Sequence, residues 1–406
     1  MFKEAVDRLQ SYSFVSLRKD ETFEMHGLVQ LVMRKWLVMH REDEKWKAQF
    51  IRKLNAVLPN GNHENWARCE MLFPHAKSAE RQQLMDDRSV REWAQILRKA
   101  GSYAWARGDY HEAERICEKS IRALGKLLGR EDVETSYSLG MLASTFWNQG
   151  RWKEAEELDV QVMETRKRVL GQEHPSTLIS MGNLASTFWN QGRWKEAEEL
   201  DVQVMETRKR VLGQEHPSTL ISIGNLALTY NNQGQWKEAE ELFVQVMETS
   251  LRVLGQEHPD TLASMGNLAS TYSNQGRWKE AEELEVQVIE TSKRVLGQEH
   301  PDTLTGMNSL ALTYKNQGRW KEAEELVVEV METRNRVLGQ EHPDTLNIMN
   351  NLAITMKEQG RKGEAIKLMA ECVQLQKRVL PTEHPDALSS ALTLAKWKSV
   401  RLLGTH

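Results

Sequence analysis

Histidine beside carboxylate is the first place to look for chemistry in this chain. The tripeptide Glu-His-Pro recurs with His174, His216, His258, His300, His342 and His384, and an imidazole next to an acid could serve a metal or a proton transfer. Each copy offers only one such pair, and the copies are 42 residues apart, whereas metal ligands must converge to roughly 2 Å from one ion. These histidines therefore read as helix-start packing. The acids of the recurrent KEAEEL occur at i and i+3 or i+4 beside lysine and arginine, as at the solvated start of an amphipathic helix. Catalysis by paired carboxylates would need one distinctive copy, and the acids repeat in nearly all. Cys69, Cys117 and Cys372 are odd in number and too far apart for a CxxC site, which fits core thiols in a reducing compartment. No catalytic residue, metal ligand or cofactor is expected, and no small-molecule substrate.

The elements that carry these residues repeat. The 38 residues from Ala143 to Ser180 return unchanged from Ala185 to Ser222, and looser copies extend the 42-residue period from Gly108 to Gly360. In the copy starting at Pro175, Leu178, Met181, Ala185 and Phe188 share one face of a predicted helix. Gly192 ends it with a left-handed residue. A second helix begins near Trp194, carries Ala197, Leu200, Val204 and Val211, and is expected to stop at Gly213 in the same way. Pro217, which loses no hydrogen bond at a first helical position, restarts the cycle. A helix pair of this size cannot bury its own apolar faces, so neighbouring pairs must stack into an α-solenoid.

Because the copies are nearly identical, the positions that differ stand out. In the first helices they are Ile179, Ser186 and Trp189, which become Ile221, Leu228 and Asn231, then Ala263, Ser270 and Ser273, then Thr305, Leu312 and Lys315. Interleaved with them are Asn183, Asn225, Asn267 and Asn351 at one position and Asn148, Asn190, Asn232, Asn274 and Asn316 seven residues further along. Positions 179, 183, 186 and 190 are i, i+4, i+7 and i+11, hence one stripe. Met141, Ser309 and Glu358 interrupt the asparagines.

Leu184, Ala185, Phe188 and Ala197, within the wording NLAxTYxNQGRWKEAEEL and RVLGQEHPDTL, resemble the tetratricopeptide repeat in its 42-residue, kinesin-light-chain-like form. The likeness covers roughly residues 89–403. It implies a right-handed solenoid of seven repeats over residues 89–383, whose first helices line a concave groove. There the asparagines would hold the backbone of an extended peptide, since an amide both donates and accepts, and the variable positions would select side chains. Trp152, Trp194, Trp236, Trp278 and Trp320 stand where the family commonly has tyrosine, and read as packing residues.

Residues 1–40 lie outside the period. Phe2 to Leu9 reads as a helix, SFVSLRK and TFEM as two short strands around a charged turn at Lys19-Asp20, and His26 to Met39 as a second helix. The string YSFVSLRKDETFEMHGLVQLVMRKWL resembles the winged-helix end of the nucleotide-binding module of fungal NB-ARC-type receptors. In that family the histidine of an MH motif, here His26 after Met25, reads a bound nucleotide. No GxxxxGK[ST] loop occurs in the chain, so His26 has no nucleotide to read within this polypeptide. Residues 41–88 read as a helical connector, and residues 384–406 as a capping helix that packs Leu388, Leu392, Leu394 and Ala395 on the last repeat, with Lys396, Lys398 and Arg401 facing water.

A net charge of −4 with 28% charged residues suits neither a polybasic nucleic-acid binder nor an acidic tail, and no window approaches 18 uninterrupted apolar residues. The expectation is a cytoplasmic, non-enzymatic scaffold: an all-α solenoid after a small α/β remnant, binding a protein or peptide and no nucleic acid or membrane. It would be the sensing region of an NB-ARC-type receptor. Two alternatives stand beside it. One is a kinesin-light-chain-like cargo adaptor, against which stands the lack of a heptad run. The other is a nucleotide-dependent switch whose NTPase module lies outside this chain.

Overall fold

The computed structural model describes residues 2–17 and 23–403, with side chains for 7–17 and 23–399. The turn expected at Lys19-Asp20 and the Arg401 side chain lie outside the described residues. The chain forms two units, Met1–Ala100 and Gly101–His406.

The first unit opens with α1 (Phe2–Ser11), β1 (Val15–Leu17), β2 (Phe23–Met25) and α2 (Gly27–Met39). The strands pair antiparallel, Val15 opposite Met25 and Leu17 opposite Phe23, so the small α/β remnant is present as expected. His26 caps α2, its Nδ1 accepting from the Leu28 N–H at 3.2 Å. Helix α2 buries none of its residues, although Leu28, Leu31, Val32, Met33 and Trp36 are all apolar and exposed. Helices α3 (Asp43–Val57) and α4 (Trp66–Glu80) follow, with Ile51, Leu54, Cys69, Ala76 and Ala79 as their buried apolar residues.

From Val133 on, the solenoid alternates first helices of 16 residues with second helices of 18 or 19. The first are α5 (Asp87–Ala106), α7 (Val133–Asn148), α9 (Pro175–Asn190), α11 (Pro217–Asn232), α13 (Pro259–Asn274), α15 (Pro301–Asn316) and α17 (Pro343–Glu358). The second are α6 (Tyr110–Leu127), α8 (Trp152–Leu170), α10 (Trp194–Leu212), α12 (Trp236–Val253), α14 (Trp278–Val295), α16 (Trp320–Leu338) and α18 (Lys362–Val379), and α19 (Pro385–Leu403) closes the array. Each second helix from α8 to α16 packs on the first helix before it and the first helix after it. Val204 of α10 thus sits with Leu178 and Met181 of α9, and the alanine that opens each second helix, Ala197 for example, is fully buried.

The recurrent NQGRW corner knits units together. Gln191 donates to the Trp152 carbonyl and to Glu156 of the preceding unit at 3.1 and 2.8 Å. Arg193 forks between Glu156 (2.7 Å) and Glu196 (2.5 Å) and lies 4.0 Å over the Phe188 ring. The tryptophan of this corner packs only in part. At the first position of its helix Trp194 is 41% exposed, and Trp236 and Trp278 are similar, whereas Trp152 and Trp320 are half-buried. The two stops also differ. Gly192 is left-handed as expected, but Gly213 has φ 91 and ψ 163, an extended positive-φ conformation open to essentially no residue but glycine.

The Glu-His-Pro corners do more than pack. Each histidine caps a first helix, as His174 does by accepting the Ser176 N–H on Nδ1 at 3.1 Å, which fixes the tautomer and leaves Nε2 as a donor. In the last two corners that donor is used. His384 Nε2 reaches the Asn148 carbonyl at 3.1 Å and His342 Nε2 the Ala106 carbonyl at 3.5 Å, both across 236 residues. The second unit has coiled far enough for its end to rest on its beginning. Arg107 adds a bond to the Val337 carbonyl at 3.0 Å. A Cβ on Gly108 or Gly150 would stand 2.5 or 2.6 Å from the Cδ of Pro343 or Pro385, so these two glycines are needed for close approach as well as for φ.

The cap differs in detail from expectation. Helix α19 docks through Leu394, Ala391 and Trp397, while Leu388, Ala395 and Leu392, the last 70% exposed, face outward with Lys396 and Lys398. The seating of His384 and Pro385 on the Asn148–Gly150 loop fixes the rotation of α19 and so decides which face turns inward.

Candidate functional site

The varying positions of the first helices form an outward face. Ile179, Ile221 and Leu312 are about half exposed, Ser186, Ala263, Ser270 and Thr305 are exposed, and Trp189, Leu228, Ser273 and Lys315 are half-buried. Asn231 alone of this set is buried. A side chain that points away from the core is free to differ between copies, which is why variation and exposure coincide.

Three clefts adjoin along this face. The first, ≈ 250 Å³, lies between Trp147, Ser186, Trp189, Asn190, Asn225 and Leu228, with Asp201 at its base. The second, ≈ 150 Å³, shares Asn225 and Leu228 with the first and adds Ile221, Ala263 and Asn267 over Phe243. The third, ≈ 310 Å³, shares Ala263 and Asn267 with the second and runs on to Ser270, Thr305 and Ser309 over Glu285. Asn225 and Asn267 therefore stand on the shared walls.

The two rows of asparagine behave differently. No hydrogen bond is made by the side chains of Asn183, Asn225 or Asn267 among the described residues, and Asn351 donates to Asn308 at 3.4 Å. In the second row Asn148, Asn190 and Asn232 donate to the carbonyl four residues back in their own helix at 2.7–2.9 Å, and Asn274 donates to Asn231 at 3.2 Å. Asn316 is exposed. Asn183, Asn225 and Asn267 thus have both amide functions open, and most of the second row has its N–H partly spent at a helix end.

The bases of the clefts come from the second helices, where the sequence reading did not look. One position there reads Cys117, Asp159, Asp201, Phe243, Glu285, Val327 and Met369 along the chain. Thr187 and Thr229 donate to Asp159 and Asp201, each at 2.8 Å. Burial pushes both carboxyls up to about 6 against the pull of those bonds, and pushes Glu285 up to about 7. Comparing copies at the 42-residue period would have found this series too, had it been applied to the second helices. Phe243, the aromatic of this series, is fully buried. Among the described residues no group of three or more His, Cys, Asp or Glu could hold a metal ion, and no helix is long and apolar enough to cross a membrane. His26 belongs to the first unit and is exposed there.

The family model of the tetratricopeptide repeat matches residues 93–168, 138–210, 177–248, 218–294, 274–330 and 302–378. The chain is a tetratricopeptide-repeat protein. It is similar to a nucleotide-binding leucine-rich repeat (NLR)-like protein of Hyaloscypha variabilis, 39% identical over 137 residues, which are 34% of this chain and 14% of that relative. The match thus spans a small part of the relative's length. Among solved structures it is similar to the nearly identical repeats of a putative kinesin light chain from Podosopora anserina, 37% identical over 51% of this chain and 98% of that one, with TM-score 0.41. It also shares its fold with the Rap conjugation gene regulator of plasmid pLS20, solved with a bound peptide, at 12% identity, TM-score 0.54, and coverage of 84% of this tetratricopeptide-repeat chain and 99% of the regulator.

Proposed function

We propose that the first-helix face binds an extended protein segment, and that the chain is the ligand-sensing region of an NB-ARC-type receptor acting in the cytoplasm. The observation that carries the first part is the run of three adjoining clefts whose shared walls bear Asn225 and Asn267. Amides with open donors and acceptors suit a peptide backbone of any sequence, and clefts that differ from unit to unit suit a choice of side chains. The face would form the concave side of the solenoid. Support for the receptor comes from the NLR-like relative and from α2, most of whose apolar residues are exposed, as expected of a surface that another module covers.

The test is to pan a random decapeptide display library on the full chain. The expected result is a selected family of peptides whose binding weakens when Asn183, Asn225 and Asn267 are replaced by Ala and whose preferred residues change when Ile221 and Leu228 are both replaced by Ser. Peptides that bind equally well to variants altered on this face would locate the interaction elsewhere.

A further inference from the structure

The third cleft is the vacated seat of an arginine. In three repeats, two before and one after a pair that differs, one second-helix position holds Arg166, Arg208 and Arg334, and each guanidinium is buried against the first helix that follows. Each Nη1 donates to the carbonyl ten residues on, that of Ser176, Ser218 or Asp344, at 2.9–3.2 Å. Two units have serine at this position, Ser250 and Ser292, and these are the units that open into the second and third clefts.

The third cleft keeps what the arginine would meet. Where Asp159 stands seven residues before Arg166 and feels its charge, Glu285 stands seven before Ser292. Glu285 is 4% exposed, it lines the cleft, and its Oε2 has no hydrogen-bond partner. Asp302, whose carbonyl corresponds to the one each arginine uses, lines the same cleft, and no cationic side chain does. Val288, Leu262 and Leu296 supply an apolar wall for an aliphatic stem. Other departures from the repeat gather here too. Gly306 replaces the serine of Ser180, Ser222 and Ser264, and Ser309 interrupts the asparagine row. The second cleft lacks the acid, having Phe243 at its base.

We propose that the third cleft is a binding site for a guanidinium-bearing side chain, namely an arginine of the bound segment, with Glu285 as its anion. A buried carboxylate oxygen without a partner is costly, and a planar fork of donors satisfies it in two bonds. The assignment rests on the first-helix face being the binding face. It narrows that reading to a segment with arginine at one defined place and an apolar side chain one unit away over Phe243.

The probe is N-acetyl-arginine amide, titrated into the full chain while the backbone amide resonance of Gly306 is followed. The parent should show a saturable shift that N-acetyl-norleucine amide does not produce. Glu285→Gln keeps the shape and should weaken binding about tenfold or more. Ser292→Arg refills the seat from within and should abolish the shift without lowering the melting temperature. No shift in the parent up to the solubility limit, an equal response to the norleucine compound, or undiminished binding by Glu285→Gln would each overturn the assignment. Selected peptides that bind this face but show no preference for arginine would also overturn it, while leaving the wider reading of the face intact.

Discussion

Single residues set how this solenoid answers to pH. Asp159, Asp201 and Glu285 have folded-state pKa values raised by burial to about 6, 6 and 7, above the values near 4 of an unfolded chain. The folded state therefore holds these protons more tightly. The stability they contribute is complete below about pH 4 and is lost as pH rises through 6 to 7. His342 acts the other way, because burial lowers its pKa and protonation would cost stability as pH falls below its ordinary value. The Asp201→Asn variant isolates one carboxyl. It keeps an acceptor for Thr229 and should gain stability relative to the parent at pH 8, by at most about 2–3 kcal/mol, with the gain shrinking towards pH 5. Denaturant melts at both pH values check it, and a gain equal at the two would remove titration as the cause.

At the scale of helices the period explains most of what was legible. Repetition of Leu178, Met181, Ala185 and Ala197 marked the core. Helix ends followed from Pro175, Gly192 and Gly213, because proline and glycine act through the backbone and need no tertiary context. What the sequence hid depends on contacts between units. The rotation of α19 follows from a loop 236 residues away, and the open clefts from serine where other units bury arginine. Deleting one period, Ala143 to Leu184, should leave a shorter solenoid that still unfolds cooperatively, since each unit touches mainly its neighbours. The offset of 236 residues implies that the deleted chain keeps only one corner-on-loop contact, that of His384 on the loop of Ala106. Broad, non-coincident transitions by circular dichroism and tryptophan fluorescence would contradict nearest-neighbour stacking.

Across the second unit, the contacts of His342 and His384 hold one turn of the coil on the next. Asparagine is an equally good helix cap but cannot present the ring Nε2 donor. The double variant His342→Asn, His384→Asn should keep its helicity while the coil opens, seen as a larger radius of gyration in X-ray scattering. An unchanged radius would mean the coil is set by unit-to-unit angles alone.

The central claim is that the first-helix face grips a peptide backbone through its open asparagines, and the triple variant Asn183→Ala, Asn225→Ala, Asn267→Ala tests it most directly. These side chains make no hydrogen bond among the described residues, so their loss strands no buried partner and the melting temperature should stay close to the parent's. Each would remove one or more bonds to the ligand worth about 0.5–1.5 kcal/mol net. Affinity for a peptide selected on the parent should therefore fall at least about tenfold, measured by calorimetry beside the melt. A triple variant that binds the peptide as tightly as the parent, or that melts far earlier, would contradict the account.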